Sequence, residues 1–294
     1  MTRVAVLGCG YVGLELCRQL DTDVVGVRRS DAGIRAIEET GATAVRADVT
    51  DADALEAVPD ADVVVFAASS GGRGAEAARE VYVEGQRTTL EHFAGRADPP
   101  ERYVYTSSTG VYGDHGGGWV DEETTLSPVT EKTEVLAEAE TVALEGAADR
   151  GVDGTVARFG GLYGPDRYRL ERYVEGPVTE GYLNMVHRDD AAGAVRFLIE
   201  ADAARGEVVV VVDDEPVEKW AFADWLAGQC GAPAPPKRTV EERLEEGVSE
   251  AVRRRLTTSK RCSNDKLRGL GYDFRYPTYR EGYRAAISAW SGAE

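Results

Sequence analysis

The chain has 294 residues, enough for one large domain or two lobes around a substantial core. Asp and Glu number 52 against 34 Lys and Arg, and the resulting net charge of −18 repels nucleic acid and anionic lipid surfaces. Hydrophobic residues make up 43%, as in an ordinary globular protein, and no run approaches the roughly 18 apolar residues of a membrane span.

The opening "MTRVAVLGCG" runs directly into a strand and lacks the layout of a signal peptide, so a cytoplasmic protein is expected. The only lysines are Lys132, Lys219, Lys237, Lys260 and Lys266. Acid-rich, lysine-poor usage fits a chain kept hydrated in a salty cytosol, where screening removes self-repulsion, and points to a halophilic host. Cys9, Cys17, Cys230 and Cys262 have no CxxC spacing and read as buried structural residues, with neither a disulfide framework nor a zinc site. His92, His115 and His187 are scattered without metal-ligand spacing, and no metal is expected.

In chain order, short apolar runs predict strands at Arg3–Leu7, Asp23–Val27, Thr43–Ala47, Asp62–Ala67, Arg102–Ser107, Gly154–Arg158 and Glu207–Val212. Several are continuous Val/Ala runs, which suits strands covered on both faces. Helical patterns lie between them: Tyr11–Leu20, with Val12, Leu16 and Leu20 on one stripe, then the longer Gly74–Phe93 and Thr130–Arg150. This alternation predicts a doubly wound parallel sheet. After Pro165 the pattern changes. "DRYRLERYVEGPVTEGY" has no clean strand, and helices at Trp220–Gln229 and Val240–Leu256 flank the Pro-rich linker "GAPAPPKRT". The expected fold is α/β, a Rossmann-type doubly wound sheet with a smaller, mostly helical C-terminal substrate lobe. Residues 1–165 and 184–212 are assigned to the first unit, residues 166–183 and 213–294 to the second.

The first strand runs into Gly8-Cys9-Gly10-Tyr11-Val12-Gly13 and then an amphipathic helix, the context a dinucleotide-binding GxGxxG needs. Gly8 permits the tight turn, Gly10 a close approach of backbone to pyrophosphate, and Gly13 the packing of helix on strand. The helix N-terminus supplies N–H groups and partial positive charge. The second strand ends in Val27-Arg28-Arg29-Ser30. An NAD-binding chain usually places Asp or Glu there to accept from the ribose 2′-hydroxyl. Arg28 cannot accept a hydrogen bond but pairs well with a 2′-phosphate, so NADP(H) is expected in preference to NAD(H). Asp48 is placed either to reach an adenine edge or to cap the following helix.

"YTSSTGVYG" (Tyr105–Gly113), "ARFGGLYGPDR" (Ala157–Arg167) and "NMVHRDDAAGAVRFL" (Asn184–Leu198), taken with the glycine loop, resemble the extended short-chain dehydrogenase/reductase superfamily in its NAD-dependent epimerase/dehydratase branch. The tail "KRCSNDKLRGLGYDFRYPTYREGY" (Lys260–Tyr283) looks like the closing segment of an atypical subgroup. The resemblance implies a coenzyme cradle extending to Val49, Ala67, Ala68, Ser69 and Thr106, and a small-molecule substrate such as a sugar nucleotide. It also implies homodimerisation through the two long helices.

The family's chemistry uses a Ser/Thr, a Tyr and a Lys, the lysine making a phenol of ordinary pKa near 10 acidic enough to exchange a proton. Ser108 stands at the hydroxyl position. Registered on Pro128, the tyrosine position falls on Lys132 and the lysine position on Leu136, and none of the 13 tyrosines has a lysine four residues later. Gly161 replaces the family's frequent Asn. Three explanations stand open: Lys132 acts as acid or cation, Tyr112 or Tyr163 swings in, or the protein is a catalytically silent NADP(H) sensor. Among the remaining charged residues, Arg73 is a candidate for an anionic substrate group, Asp189 or Asp190 for a helix N-cap, and Arg253–Arg255 for pairing with Glu245 and Glu246. Trp220, Phe222 and Trp225 read as helix core.

Overall fold

The computed structural model describes residues 2–72 and 74–290; Arg73 lies outside them. Seven strands, β1 (Arg3–Leu7), β2 (Asp23–Arg28), β3 (Thr43–Arg46), β4 (Val63–Phe66), β5 (Arg102–Ser108), β6 (Asp153–Phe159) and β7 (Glu207–Val211), form one sheet in the order β7-β6-β5-β4-β1-β2-β3. Every neighbouring pair is parallel. The strand order reverses between β1 and β4, so a crevice opens at their carboxyl ends, where open α/β sheets bind ligands.

Both faces of the sheet are covered, which is why its strands read as unbroken apolar runs. Along β1, Val4 and Val6 enter one core with Leu16, Val65, Val104 and Val195. Ala5 and Leu7 enter the other with Val27, Phe66, Leu90, Phe93 and Tyr105. Helix α1 (Tyr11–Gln19) lies on the first face. Helix α2 (Asp31–Glu38) follows β2 and is capped by Ser30, whose side chain accepts from the Gly33 amide. The second face carries Ala75–Arg79 and Gly85–Ala94, joined by a π turn at Glu80–Glu84, and α3 (Glu131–Thr141), which runs into another π turn at Val142–Gly146. Thr130 and Thr133 form a reciprocal capping pair at the start of α3. Helix α4 (Arg188–Glu200) returns to the first face.

The lobe has its own core. Helix α5 (Lys219–Gln229) packs against the short helix Leu170–Val174, and Tyr163, Met185, Val217, Phe222, Leu226, Tyr279 and Tyr283 are buried with them. Trp225 packs on this cluster, whereas Trp220 donates its indole N–H to the Val178 carbonyl at 2.8 Å. Leu267, Tyr272 and Phe274 leave the lobe and join the first core of the sheet. The helix expected over Val240–Leu256 is two pieces, Val240–Glu245 and α6 (Glu250–Thr257). Gly247 breaks it with a φ of 76°, and Ser249 restarts it by accepting from the Val252 amide. All four cysteines are free thiols; Cys9, Cys17 and Cys262 are buried, while Cys230 is only half-buried, a departure from the expected burial of all four.

Between α3 and the sheet lies a fully enclosed ion pair. Arg158 on β6 donates through Nε and Nη2 to the Glu140 carboxylate at 2.7–3.1 Å, and through Nη1 to the Tyr112 hydroxyl at 2.8 Å. Ser107 on β5 donates to the same carboxylate at 2.6 Å. The two charged side chains are 5% and 4% exposed, so each depends on the other for its solvation. Removing one partner strands a buried charge. Chemical denaturation of Arg158→Met is expected to show a loss of about 3–5 kcal/mol, and Arg158→Met with Glu140→Leu to regain most of it.

Candidate functional site

The carboxyl ends of β1, β2, β3 and β4 border a cavity of about 260 Å³. Gly8, Arg28, Arg29, Ser30, Asp48, Val49, Ala68 and Ser69 line it, together with Val27, Ala47, Gly71 and Val81. The last four belong to no motif. Their one signal in the sequence is position, since Val27 and Ala47 sit at or just past strand ends and Gly71 follows the fourth strand.

Each glycine of the loop has a distinct reason. Gly8 has a φ of +88°, and a Cβ on it would lie 2.3 Å from the Ala68 Cα. Only glycine lets the ends of β1 and β4 approach this closely. A Cβ on Gly13 would press on the Gly8 carbonyl at 3.1 Å and Val6 Cγ1 at 3.3 Å, which is helix-on-strand packing. A Cβ on Gly10 would meet Arg28 Nη1 at 3.4 Å and the Gly8 carbonyl oxygen at 3.8 Å, ordinary contact distances, and Gly10 lies off the lining of the cavity. Gly10 caps α1 without a side-chain hydrogen bond, so the first N–H groups of the helix remain for a ligand.

The cradle is electropositive on one wall. Arg28 reaches back over the loop and donates from Nη1 to the Cys9 carbonyl at 2.8 Å, which fixes the guanidinium beside Gly10 and leaves its other donors. Arg29 pairs with Asp48 at 3.0 Å. Burial pushes the Asp48 carboxyl upward, but the Thr50 amide and hydroxyl and the Arg29 guanidinium outweigh it and hold the group below the usual carboxylate range. Asp48 thus closes a turn onto Thr50; the cap of the following helix is Asp51.

The other expected cradle residues lie off this cavity. Tyr11 donates its hydroxyl to the Pro165 carbonyl at 2.8 Å, and its ring lies under Arg167 at 4.1 Å and Arg188 at 5.5 Å. Burial pushes its phenol up to about 12 against the pull of those arginines. Val12 is buried in the first core. Ala67 continues β4 by donating to the Leu7 carbonyl at 2.8 Å, and Thr106 donates to the Phe66 carbonyl at 3.4 Å.

At the end of β5, Ser108 Oγ accepts from the Gly110 amide at 3.1 Å, so its own proton is free for a substrate oxygen. Lys132 is exposed in the first turn of α3, and Leu136 is half-buried one turn later. Tyr112 and Tyr163 are interior residues. The Tyr112 hydroxyl is held by Arg158, and the Tyr163 ring stacks on Tyr283 at 4.9 Å. Burial raises both phenols above the ordinary tyrosine value. Another lysine stands beside this turn. Lys260 is 8% exposed, and its Nζ donates to the Gly113 carbonyl at 3.1 Å. Burial lowers its proton affinity. Only the tertiary structure brings it here, 147 residues along the chain from Gly113.

The segment after β6 ends in a polar knot. His187, not Asp189 or Asp190, caps α4: its Nδ1 accepts from the Asp189 amide at 3.2 Å. Asp190 is buried and accepts from the Tyr272 hydroxyl and the Arg275 and Tyr276 amides at 2.7–3.0 Å, tying the tail to α4. Arg253 and Arg254 pair with Glu250 at 3.8 and 3.0 Å, not with the expected Glu245 and Glu246, because α6 places them one turn from it. Arg254 also donates to the Val129 carbonyl at 2.9 Å, which lays α6 across the start of α3.

A parallel sheet with a glycine cradle at its switch point defines a dinucleotide-binding Rossmann protein. The chain belongs to the NAD-dependent epimerase/dehydratase family, whose model matches residues 4–189. Its structure is similar to that of a candidate NAD-dependent epimerase/dehydratase from Methylobacillus flagellatus, at 29% identity and TM-score 0.77 over 98% of both chains. A conserved protein of unknown function from Silicibacter pomeroyi is 26% identical, with TM-score 0.77 over 98% of this chain and 99% of that one. The dTDP-glucose 4,6-dehydratase of Streptomyces venezuelae, solved with NAD, shares the fold at 21% identity and TM-score 0.78, covering 97% of this chain and 96% of that one. No curated protein matches the sequence.

His187 offers a check on this knot. It is 2% exposed, with Tyr276 at 4.0 Å and Tyr163 at 5.3 Å from its ring. Burial, with Arg188 and Arg275, outweighs Asp189 and lowers its pKa to about 4. The unfolded chain takes up this proton first as pH falls, so the stability is complete above about pH 6.5 and is lost toward pH 4. The unfolding free energy of the wild type, relative to His187→Asn, is expected to drop by about 2–3 kcal/mol between pH 7 and pH 4.

Proposed function

We propose that the protein is an NADP(H)-dependent enzyme of the epimerase/dehydratase type, acting on a small hydroxyl or carbonyl compound such as a sugar nucleotide through an altered acid/base centre. The cavity at the switch point, with Arg28 and Arg29 on its wall, carries the reading. The N–H groups at the start of α1, with the Arg28 guanidinium beside Gly10, suit a pyrophosphate, and two guanidinium groups at the end of β2 suit a 2′-phosphate. The coenzyme would supply hydride transfer. Gly8, Gly10 and Gly13 would shape its pyrophosphate seat, with Arg28 and Arg29 facing its adenosine end.

Titration calorimetry is expected to show NADPH binding at least tenfold tighter than NADH, since a charge-assisted pair contributes about 1.5–3 kcal/mol. Arg28→Gln should remove most of that difference and leave NADH affinity nearly unchanged. Equal affinities in the wild type would end the NADP(H) preference.

At the reacting end, Ser108 offers its hydroxyl proton to the substrate oxygen. Lys260 holds a desolvated positive charge one turn away, and Lys132 stands exposed at the helix position of the family's tyrosine. In this reading Lys260 supplies the cation that the sheet-side helix lacks. A buried ammonium without a carboxylate partner costs stability, so a functional Lys260 has a separable signature. With NADPH and a panel of carbonyl compounds and nucleotide sugars, Lys260→Met is expected to cut turnover at least tenfold while leaving the melting temperature unchanged or higher. Lys132→Ala, assayed beside it, reports on the alternative lysine. The absence of the Tyr/Lys pair favours a second reading, a catalytically silent NADP(H) sensor. Tight coenzyme binding with no turnover across the panel would establish it.

The two long helices that family dimers are expected to use are braced within the chain by Arg79–Glu138 at 2.7 Å and Arg87–Glu138 at 3.3 Å. Among the described residues no helix is long and apolar enough to cross a membrane.

A further inference from the structure

We propose that Cys9 and Cys17 are a redox switch: a peroxide joins them in a reversible disulfide that pulls on the glycine loop and weakens coenzyme binding. The effect on coenzyme rests on the NADP(H) reading above, whereas the bond itself does not.

The two sulfurs lie 3.6 Å apart, Cys9 in the glycine loop and Cys17 on α1. No CxxC spacing marks the pair; the turn from loop into helix brings them together. Both sit in the first core, at 0% and 4% exposure. Gly26 on β2 makes room for the Cys9 sulfur, since a Cβ there would lie 2.9 Å from it. The Cys9 thiol donates to the Val6 carbonyl at 3.2 Å. When Cys17 ionises, that proton can turn to the Cys17 sulfur. The Cys9 thiol, and with it Arg18, then holds Cys17 below the ordinary thiol value against its burial. Cys17 is therefore the attacking thiol and Cys9 the resolving one.

The Cys17 thiolate attacks one peroxide oxygen. The O–O bond breaks, and the leaving hydroxide takes up a proton to become water. The Cys9 sulfur then attacks the sulfenic sulfur of Cys17. An S–S bond forms, the S–O bond breaks, and the hydroxyl leaves as water with the Cys9 proton. Two thiols lose two electrons, and one hydrogen peroxide is reduced to two waters. A disulfide is about 2.05 Å long, so the sulfurs must close by about 1.5 Å. Cys17 belongs to a helix packed on the sheet and Cys9 to a loop, so the loop yields. Its movement breaks the bond to Val6 and shifts the Cys9 carbonyl, which accepts from Arg28 Nη1 at 2.8 Å. Oxidation thus loosens the guanidinium beside Gly10 and displaces the glycines on either side of Cys9. Because both sulfurs are enclosed, only a small oxidant reaches them, and only when the loop opens. Bound coenzyme holds the loop closed and protects the pair.

The full chain is treated with hydrogen peroxide, with and without NADP+, and then digested without reduction for peptide mapping. A Cys9–Cys17 linked peptide is expected, forming more slowly with NADP+ present. Hydrogen exchange of the Gly8–Gly13 amides should rise on oxidation. Calorimetry should show NADP+ affinity falling about tenfold, with a smaller loss for NAD+, and dithiothreitol should restore both. Cys17→Ala, treated alike, should keep its NADP+ affinity, whereas Cys230→Ser should switch like the wild type. The absence of a Cys9–Cys17 link overturns the switch. So does a link that leaves loop exchange and coenzyme affinity as in the reduced protein, or an equal loss of affinity in peroxide-treated Cys17→Ala. Peptide map and loop exchange are read without coenzyme, so they judge the switch even where the reduced protein binds neither coenzyme, a result that would sink only the NADP(H) reading.

Discussion

The enclosed Glu140–Arg158 pair determines where everything near the reacting end can sit. It ties α3 to β5 through Ser107 and to β6 through Arg158, and it fixes the Tyr112 ring under the turn that follows Ser108. A charge pair with almost no solvent contact allows little play, because any displacement leaves lone pairs or N–H groups unmet. In the proposed register the family's catalytic pair falls on the turns of α3 just before Glu140, at the exposed Lys132 and the half-buried Leu136. Here the anchor of that helix is intact although the residues it would present, at Lys132 and Leu136, are not the usual ones. Lys132, Leu136 and Glu140 follow one another at four-residue spacing along one stripe of that helix, so the anchor sits on the turns next to the candidate positions.

A second constraint is electrostatic. The surface is acidic, with 52 Asp and Glu against 34 Lys and Arg. Arg28 stands at the end of β2 without an ion-pair partner among the described residues, Arg29 beside it pairs with Asp48 at 3.0 Å, and Lys260 is enclosed beside the Ser108 turn. Most other arginines are matched to a neighbouring acid, as in Arg205 with Asp202 and Asp153 or Arg268 with Asp214. Arg28 and the buried Lys260 carry positive charge that no carboxylate among the described residues pairs.

Much of this was legible in the residues. Continuous Val/Ala runs mark strands covered on both sides, and all seven expected strands belong to the one sheet. The glycine loop was readable because its glycines answer local steric demands: a left-handed backbone and close approach to Ala68 at Gly8, and close helix packing at Gly13. Capping was less legible. Asp48 read as an adenine contact or a helix cap, and Asp189 or Asp190 as a cap; Asp51 and His187 do the capping, since a cap is chosen by where the chain turns and not by residue type alone. The single helix expected over Val240–Leu256 was misread for a related reason: a charged helical pattern persists across Gly247, and only the backbone conformation there divides it.

The sequence by itself determined the seven strands in chain order, the family, the glycine loop after the first strand and the absence of any tyrosine followed by a lysine four residues later, because each is written in contiguous residues or fixed spacings. What only the tertiary structure decided lies between distant segments. Lys260 reaches Gly113, and Asp190 receives the amides of Arg275 and Tyr276. Local periodicity carries no record of such meetings. They are set by how the C-terminal tail folds back across the sheet, and through burial that return gives an ordinary lysine its unusual place.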